Sequence, residues 1–166
     1  LLIGRCIALC YYISLFIKYL CVMGNTKLLE LRQAEVVEEF LMFGDWMEKY
    51  EHIIELGKEL QPMVESDKVE DNLIKGCQSG VWLTAKLNSE GEVIFSADSD
   101  AIITKGMVAL MIRVLSGAMP EEIAKADLHF LNEIGLHQHL SPTRSNGLAS
   151  MAKQMKMYGL VFSARS

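Results

Sequence analysis

The chain has 166 residues, of which 51% are hydrophobic and 22% charged, and this composition is that of a folded domain and not of a disordered chain. Its length allows one domain with a substantial core but is short for two. The formal net charge of −5 argues against a nucleic-acid partner, because nucleic-acid-binding domains carry a surplus of Lys and Arg.

The chain opens with an apolar segment. Residues 6–22 are almost wholly apolar but include Lys18; the run is short for a membrane span, and a charge inside one is costly. Met23 then opens a more polar segment that is typical of the start of a soluble helix. We therefore predict that residues 1–22 are upstream or mis-started sequence, with a membrane anchor as the alternative, and that residues 23–166 form the domain.

Two helices are predicted before residue 61. Apolar residues recur at helical spacing over 26–43, and Gly44 ends this helix. Asp45 and Glu48 form a capping-box pattern that begins a second helix at about 46–60. The tight connection between the two predicts an antiparallel helical hairpin.

A β-hairpin is predicted next. Residues 61–75 have the composition of a loop, and 81–87 alternate as a strand. Residues 88–91 end in Gly and form a turn, and 92–97 make the returning strand.

Helices are predicted for the rest of the chain. Residues 101–115 are apolar almost all round, which predicts a buried helix, and one of the polar residues 98–100 should cap it. Pro120 begins a short helix, and a last helix covers about 146–160. The order predicts an α+β domain, with a small antiparallel sheet packed against several helices.

The cysteines are unevenly distributed. Three of the four lie within the first 21 residues, and only Cys77 lies in the body of the chain. A secreted disulfide scaffold would spread paired cysteines through its fold. We therefore predict a reducing, cytoplasmic location.

The loop that holds Cys77 carries the candidate chemistry. A sulfur-accepting or nucleophilic Cys needs thiolate character, which Lys75 and the backbone N–H groups of Gln78 and Ser79 could supply. Gly76 leaves the backbone next to the thiol free of side chains. From these residues alone, a buried structural cysteine is an equal alternative.

Gly76-Cys77-Gln78-Ser79, followed by Val81-Trp82, resembles the signature of the SufE family of sulfur acceptors. Gly80 departs from this pattern, since members often have a larger side chain there, and it could make the loop more mobile. The similarity spans roughly residues 33–155. The further matching segments, in chain order, are 46–57, 97–101, 105–106 and 136–148.

The resemblance implies a SufE/NifU-like α+β fold and a role in iron–sulfur cluster assembly. A pyridoxal-phosphate cysteine desulfurase, SufS-like or CsdA-like, would hold sulfur as a persulfide, and Cys77 would take it and carry it to an iron–sulfur scaffold. The desulfurase would be stimulated, while the chain itself would have no turnover and no cofactor. The expected partner-binding or thiolate-supporting residues are Gly76, Gln78, Ser79, Asp100 and Arg144.

Two other functions stay open at this stage. A cysteine-dependent hydrolase would need His139 as the base for Cys77, but such enzymes usually hold the cysteine at a helix start. A non-catalytic adaptor would bind a desulfurase without using the thiol. A zinc site at His137 and His139 is not expected, because their spacing places both rings on one side only in a strand.

Overall fold

The computed structural model describes residues 28–165, so the prediction for residues 1–22 lies outside the described part. The elements, in chain order, are α1 (residues 28–41), α2 (Trp46–Glu59), two single 3₁₀ turns (Glu65–Asp67 and Glu70–Asn72), β1 (Val81–Leu87), β2 (Val93–Ser99), α3 (Ile102–Leu115), α4 (Pro120–Lys125), α5 (Phe130–Glu133), α6 (Leu136–His139) and α7 (Pro142–Ser163).

The junction of α1 and α2 follows the predicted capping pattern in part. Asp45 Oδ1 accepts a hydrogen bond from the Glu48 N–H at 3.0 Å, which begins α2 as predicted. Glu48 Oε2, however, accepts from the Gly44 N–H at 2.7 Å and not from Asp45. The two helices also meet where His52 Nε2 lies 2.6 Å from Glu39 Oε1.

The predicted β-hairpin is confirmed. β1 and β2 pair antiparallel, from Val81 opposite Ser99 to Leu87 opposite Val93. Gly91 in the turn has a φ of 83°, a conformation that glycine adopts at little cost. β2 extends two residues beyond its predicted end, so its last residues remain in the ladder.

Helix α3 lies at the centre of the core, with most of its residues buried, as its apolar sequence predicts. It crosses α2 at very close range: a Cβ built on Gly57 would lie 2.8 Å from the Gly106 backbone nitrogen, and one on Gly106 would overlap the backbone of Ile53. Only glycine fits this crossing. The contact fixes the N-terminal half of α3 against α2.

The prediction that a residue of 98–100 caps α3 is wrong. Its N-cap is Ala101, without a side-chain cap bond, because Asp98 still belongs to β2 and binds two lysines. The predicted start of α7 near Asn146 is also wrong. That helix begins at Pro142, whose fixed φ suits a first helical position, so Arg144 lies in its first turn.

Within residues 28–165, no helix has both the length and the apolar character that crossing a membrane requires.

Candidate functional site

Cys77 lies in a short loop that is closed at both ends. The Ile74 N–H donates to the Val81 carbonyl at 2.8 Å, which joins the incoming chain to the start of β1. The Ser99 hydroxyl donates to the Gly80 carbonyl at 2.8 Å, which ties the outgoing end to β2. The residues between these anchors project from the end of the sheet.

This loop rests on helix α7 at two glycines. Gly76 has a φ of 91°, and a Cβ there would lie 2.8 Å from Ser150 Oγ. A Cβ built on Gly147 would lie 3.5 Å from Cys77 Sγ. The thiol donates to the Gly147 carbonyl, with 3.6 Å between sulfur and oxygen. Glycine at residue 76 allows the loop to approach α7 this closely, and the small Gly147 leaves space for the thiol against the helix backbone.

The thiol is half-buried, and its environment favours the protonated form. Burial raises the pKa of Cys77 above its ordinary value, because a thiolate loses hydration there. Lys75 is exposed, and within the described residues no cation or N–H donor bonds Sγ. In this conformation the predicted support of a thiolate by Lys75, Gln78 and Ser79 is therefore not seen.

A cavity of about 420 Å³ opens beside Cys77. It brings together five of the six predicted site residues, while Gly76 faces α7 instead. Its wall combines the Cys77 loop, the start of α3 and the first turns of α7. The lining residues are Cys77, Gln78, Ser79, Asp100, Ala101, Ile103, Thr104, Met107, Thr143, Arg144, Gly147 and Met151.

Two exposed charges lie on this cavity wall. Asp100 and Arg144 both line it, and across residues 28–165 neither side chain forms an ion pair. Since α7 starts at Pro142, Arg144 is near a helix N-terminus, where the helix dipole disfavours a cation. An arginine that is neither paired nor favoured by its helix is free to meet an anion that enters the cavity.

Gly80 is held between two side chains. A Cβ there would lie 2.9 Å from Asp100 Oδ2 and 2.9 Å from the outer ring of Trp82. Any larger side chain at residue 80 would need both neighbours to shift. The departure at Gly80 therefore permits close packing of the ring and the carboxylate.

Asp98 holds together the elements next to the Cys77 cavity through two ion pairs. Its two oxygens lie 2.8 Å from Lys105 Nζ and 2.8 Å from Lys68 Nζ. Burial raises the pKa of Asp98, but the hydrogen bonds from Lys105 and Lys68 outweigh it and hold the pKa at about 2. The ion pairs join the 61–75 loop, the end of β2 and α3. Sequence reasoning missed this cluster, because its members come from three separate elements.

The histidines lie away from the thiol. His139 stacks on Trp46, with ring centroids 4.2 Å apart and 13° between the planes, and it does not line the Cys77 cavity. The base that a cysteine hydrolase would need is therefore not next to Cys77. In the described part of the chain, no group of three His, Cys, Asp or Glu side chains is arranged to hold a metal ion.

The family model described as SufE, Fe–S metabolism associated domain, matches residues 34–159. The chain belongs to the SufE family. Membership associates it with iron–sulfur metabolism and confirms the predicted resemblance. A solution structure of a hypothetical protein from Thermus thermophilus is similar, with a TM-score of 0.67 and 18% identity over 80% of this chain and 96% of that chain. At that identity the likeness shows the fold, and it confirms the α+β prediction.

Proposed function

We propose that this SufE protein accepts sulfane sulfur from a pyridoxal-phosphate cysteine desulfurase as a persulfide on Cys77, stimulates that enzyme, and delivers the sulfur to iron–sulfur cluster assembly. The observation that carries the proposal is a half-buried thiol on the wall of an open cavity. In the described residues it is the one cysteine. Its setting suits a carrier that shelters its cargo.

The transfer needs no oxidant or reductant. The Cys77 thiolate attacks the terminal sulfur of the donor's persulfide, and a new S–S bond forms at Cys77 as the donor's S–S bond breaks. The donor cysteine leaves as a thiolate and takes up a proton, while Cys77 retains the persulfide. Chemically this is thiol–disulfide exchange with a persulfide as the electrophile. The desulfurase active cysteine is then free for another turnover.

The resting protein holds Cys77 back from this reaction. Its pKa is raised by burial, and the Gly147 carbonyl accepts its S–H, an interaction that favours the thiol over the thiolate. Attack therefore requires the loop to leave α7 or a cation to approach. Arg144 is such a cation on the same cavity wall, and we assign it to stabilising the thiolate or the persulfide.

The remaining predicted residues have supporting roles. Gln78 is exposed and Ser79 half-buried on the cavity wall, where a docked partner would contact them. Gly76 permits the turn that presents the thiol. The carrier works by stoichiometric transfer and without its own cofactor, in a reducing compartment that we take to be the cytoplasm. An iron–sulfur scaffold is the expected recipient.

The experiment is a turnover assay of a purified SufS-type desulfurase with cysteine as substrate and a reductant present. Wild-type protein should raise the rate of alanine formation several-fold, and Cys77→Ser should abolish that rise. Equal stimulation by both proteins would contradict the carrier function and support the adaptor. Binding of Cys77→Ser to the desulfurase, measured in parallel, shows that the variant still docks.

A further inference from the structure

A second cavity borders the Cys77 cavity at the N-terminus of α3. It has a volume of about 260 Å³ and lies between α2 and α3. Asp100 lines both cavities, so the two share a rim. The lining residues of this α2–α3 cleft are Ile54, Gly57, Lys58, Ser99, Asp100, Ile102 and Lys105.

Ile102 is the exposed apolar residue of this cleft. Its side chain is 66% exposed, although it is the first residue of α3. Its neighbours Ala101 and Ile103 both line the Cys77 cavity, and consecutive Cα atoms are only about 3.8 Å apart. A protein that covers the mouth of the Cys77 cavity therefore comes within reach of Ile102.

The two lysines of the cleft are already paired within the protein. Lys58 Nζ lies 2.6 Å from Glu55 Oε1, and Lys105 Nζ lies 2.8 Å from Asp98 Oδ1. Both lysines are thus neutralised, and the cleft offers little to an anion. Apart from the unpaired carboxylate of Asp100 at the rim, what remains for a ligand is the aliphatic surface of Ile54 and Ile102.

We propose that Ile102 and the α2–α3 cleft form the apolar anchor on which the sulfur-donating desulfurase docks, with an apolar side chain of that enzyme filling the cleft. This inference rests on the proposed function. A specific interface covers about 800 Å² of each partner, which is the area of a disc of about 16 Å radius. An interface that includes Cys77 extends over the start of α3, and a few well-packed residues carry most of the binding energy of such an interface.

Ile102→Glu tests the proposal with little risk to the fold. An acidic residue in the first turn of a helix is favoured by the helix dipole, so the variant should fold as the wild type does. The control is Leu160→Glu. Leu160 is 53% exposed and lies 13 residues beyond Gly147 on α7, about 20 Å away along the helix axis.

Two quantities are measured for each protein: the Kd for a SufS-type desulfurase and the rate of sulfur loading from that enzyme. Ile102→Glu should weaken binding and loading at least about tenfold, and Leu160→Glu should change neither. Loading from inorganic polysulfide, which needs no docking, should be equal in all three proteins and shows that the thiol is intact.

The outcomes separate this inference from the function on which it rests. If the wild type takes no sulfur on Cys77, the proposed function fails. If the wild type loads but Ile102→Glu binds and loads equally well, only the docking anchor is overturned. It is likewise overturned if Leu160→Glu alone weakens binding, or if Ile102→Glu merely converts a dimer to a monomer with partner binding unchanged, since the occupant would then be a second copy.

Discussion

The thiol of Cys77 donates a hydrogen bond to the backbone carbonyl of Gly147, with 3.6 Å between the two atoms. This contact joins the loop before β1 to a helix 70 residues later in the chain. A Cβ on Gly147 would lie in ordinary contact with Sγ, at 3.5 Å, so a side chain larger than that of alanine would compete with the thiol for this space. Burial raises the pKa of Cys77, and this contact, which the thiol makes as a donor, also favours the protonated form.

Larger side chains at residue 147 should release the loop. Gly147→Val places methyl groups where the thiol now lies, so alkylation of Cys77 by iodoacetamide at pH 8 should become several-fold faster. Gly147→Ala adds only an ordinary contact and should alkylate at the wild-type rate. The alanine should also stabilise α7 by about 0.5–1 kcal/mol, since glycine is costly inside a helix. Equal alkylation rates for Gly147→Val and the wild type would contradict the packing of Cys77 against Gly147.

The pH dependence of alkylation should report the raised pKa of Cys77. The rate should reach its midpoint at a higher pH in the native protein than in the protein unfolded by guanidinium. Because the folded state favours the thiol, this group contributes stability at pH values below its ordinary pKa, and that stability is lost as the pH rises through the folded value. Cys77→Ser provides the background from Cys6, Cys10 and Cys21. If the pH midpoint of alkylation in the native protein were at or below that of the unfolded protein, the pKa of Cys77 would not be raised by folding.

The part of the fold that sequence predicts is the part set by local pattern. The hairpin of β1 and β2 follows from alternation and from the turn at Gly91, and the centrality of α3 follows from its apolar surface. The start of α7 at Pro142 was missed, because the composition of residues 127–145 hid its first turn. The site was found largely through the family motif.

The part that sequence does not predict depends on distant contacts. Whether Cys77 is supported as a thiolate or held as a thiol depends on its burial, which raises its pKa, and on the carbonyl that it meets, which belongs to Gly147. Asp98 was one of the three residues, 98–100, expected to cap α3, but Lys68 and Lys105 reach it through tertiary packing. No local spacing encodes either arrangement.

Removing the charge of Asp98 should destabilise the fold. Asp98→Asn leaves Lys68 and Lys105 without their shared carboxylate, at a cost of about 1–3 kcal/mol in the free energy of unfolding. Since its pKa falls from 3.8 to about 2, this stability is present above about pH 4 and is lost as the pH falls toward 2.

Urea denaturation at pH 7 and pH 3 measures the effect of Asp98→Asn. The control is Lys58→Gln, which removes an ion pair with Glu55 whose side chains are both more than 60% exposed, and it should change stability by less than about 0.5 kcal/mol. If Asp98→Asn and Lys58→Gln had the same small effect, the ion pairs of Asp98 would not stabilise the fold as described.

Arg144→Ala should slow sulfur transfer without disturbing the resting thiol. Arg144 is not among the causes of the raised Cys77 pKa, which is due to burial, so the pH profile of alkylation should be unchanged. Loading from the desulfurase should fall roughly tenfold, the loss expected for one charged contact of about 1.4 kcal/mol. Lys153→Ala, an exposed residue later in α7, should load at the wild-type rate. Normal loading of Arg144→Ala would remove Arg144 from the mechanism.

The most direct test of the carrier function is the intact mass of the protein after incubation with an active cysteine desulfurase and cysteine, followed by peptide mapping. The wild type should gain the mass of one sulfur atom on the peptide containing Cys77, a thiol reductant should remove it, and Cys77→Ser should gain none. No adduct on the wild type, or an equal adduct on Cys77→Ser at its remaining cysteines, would contradict sulfur transfer to Cys77.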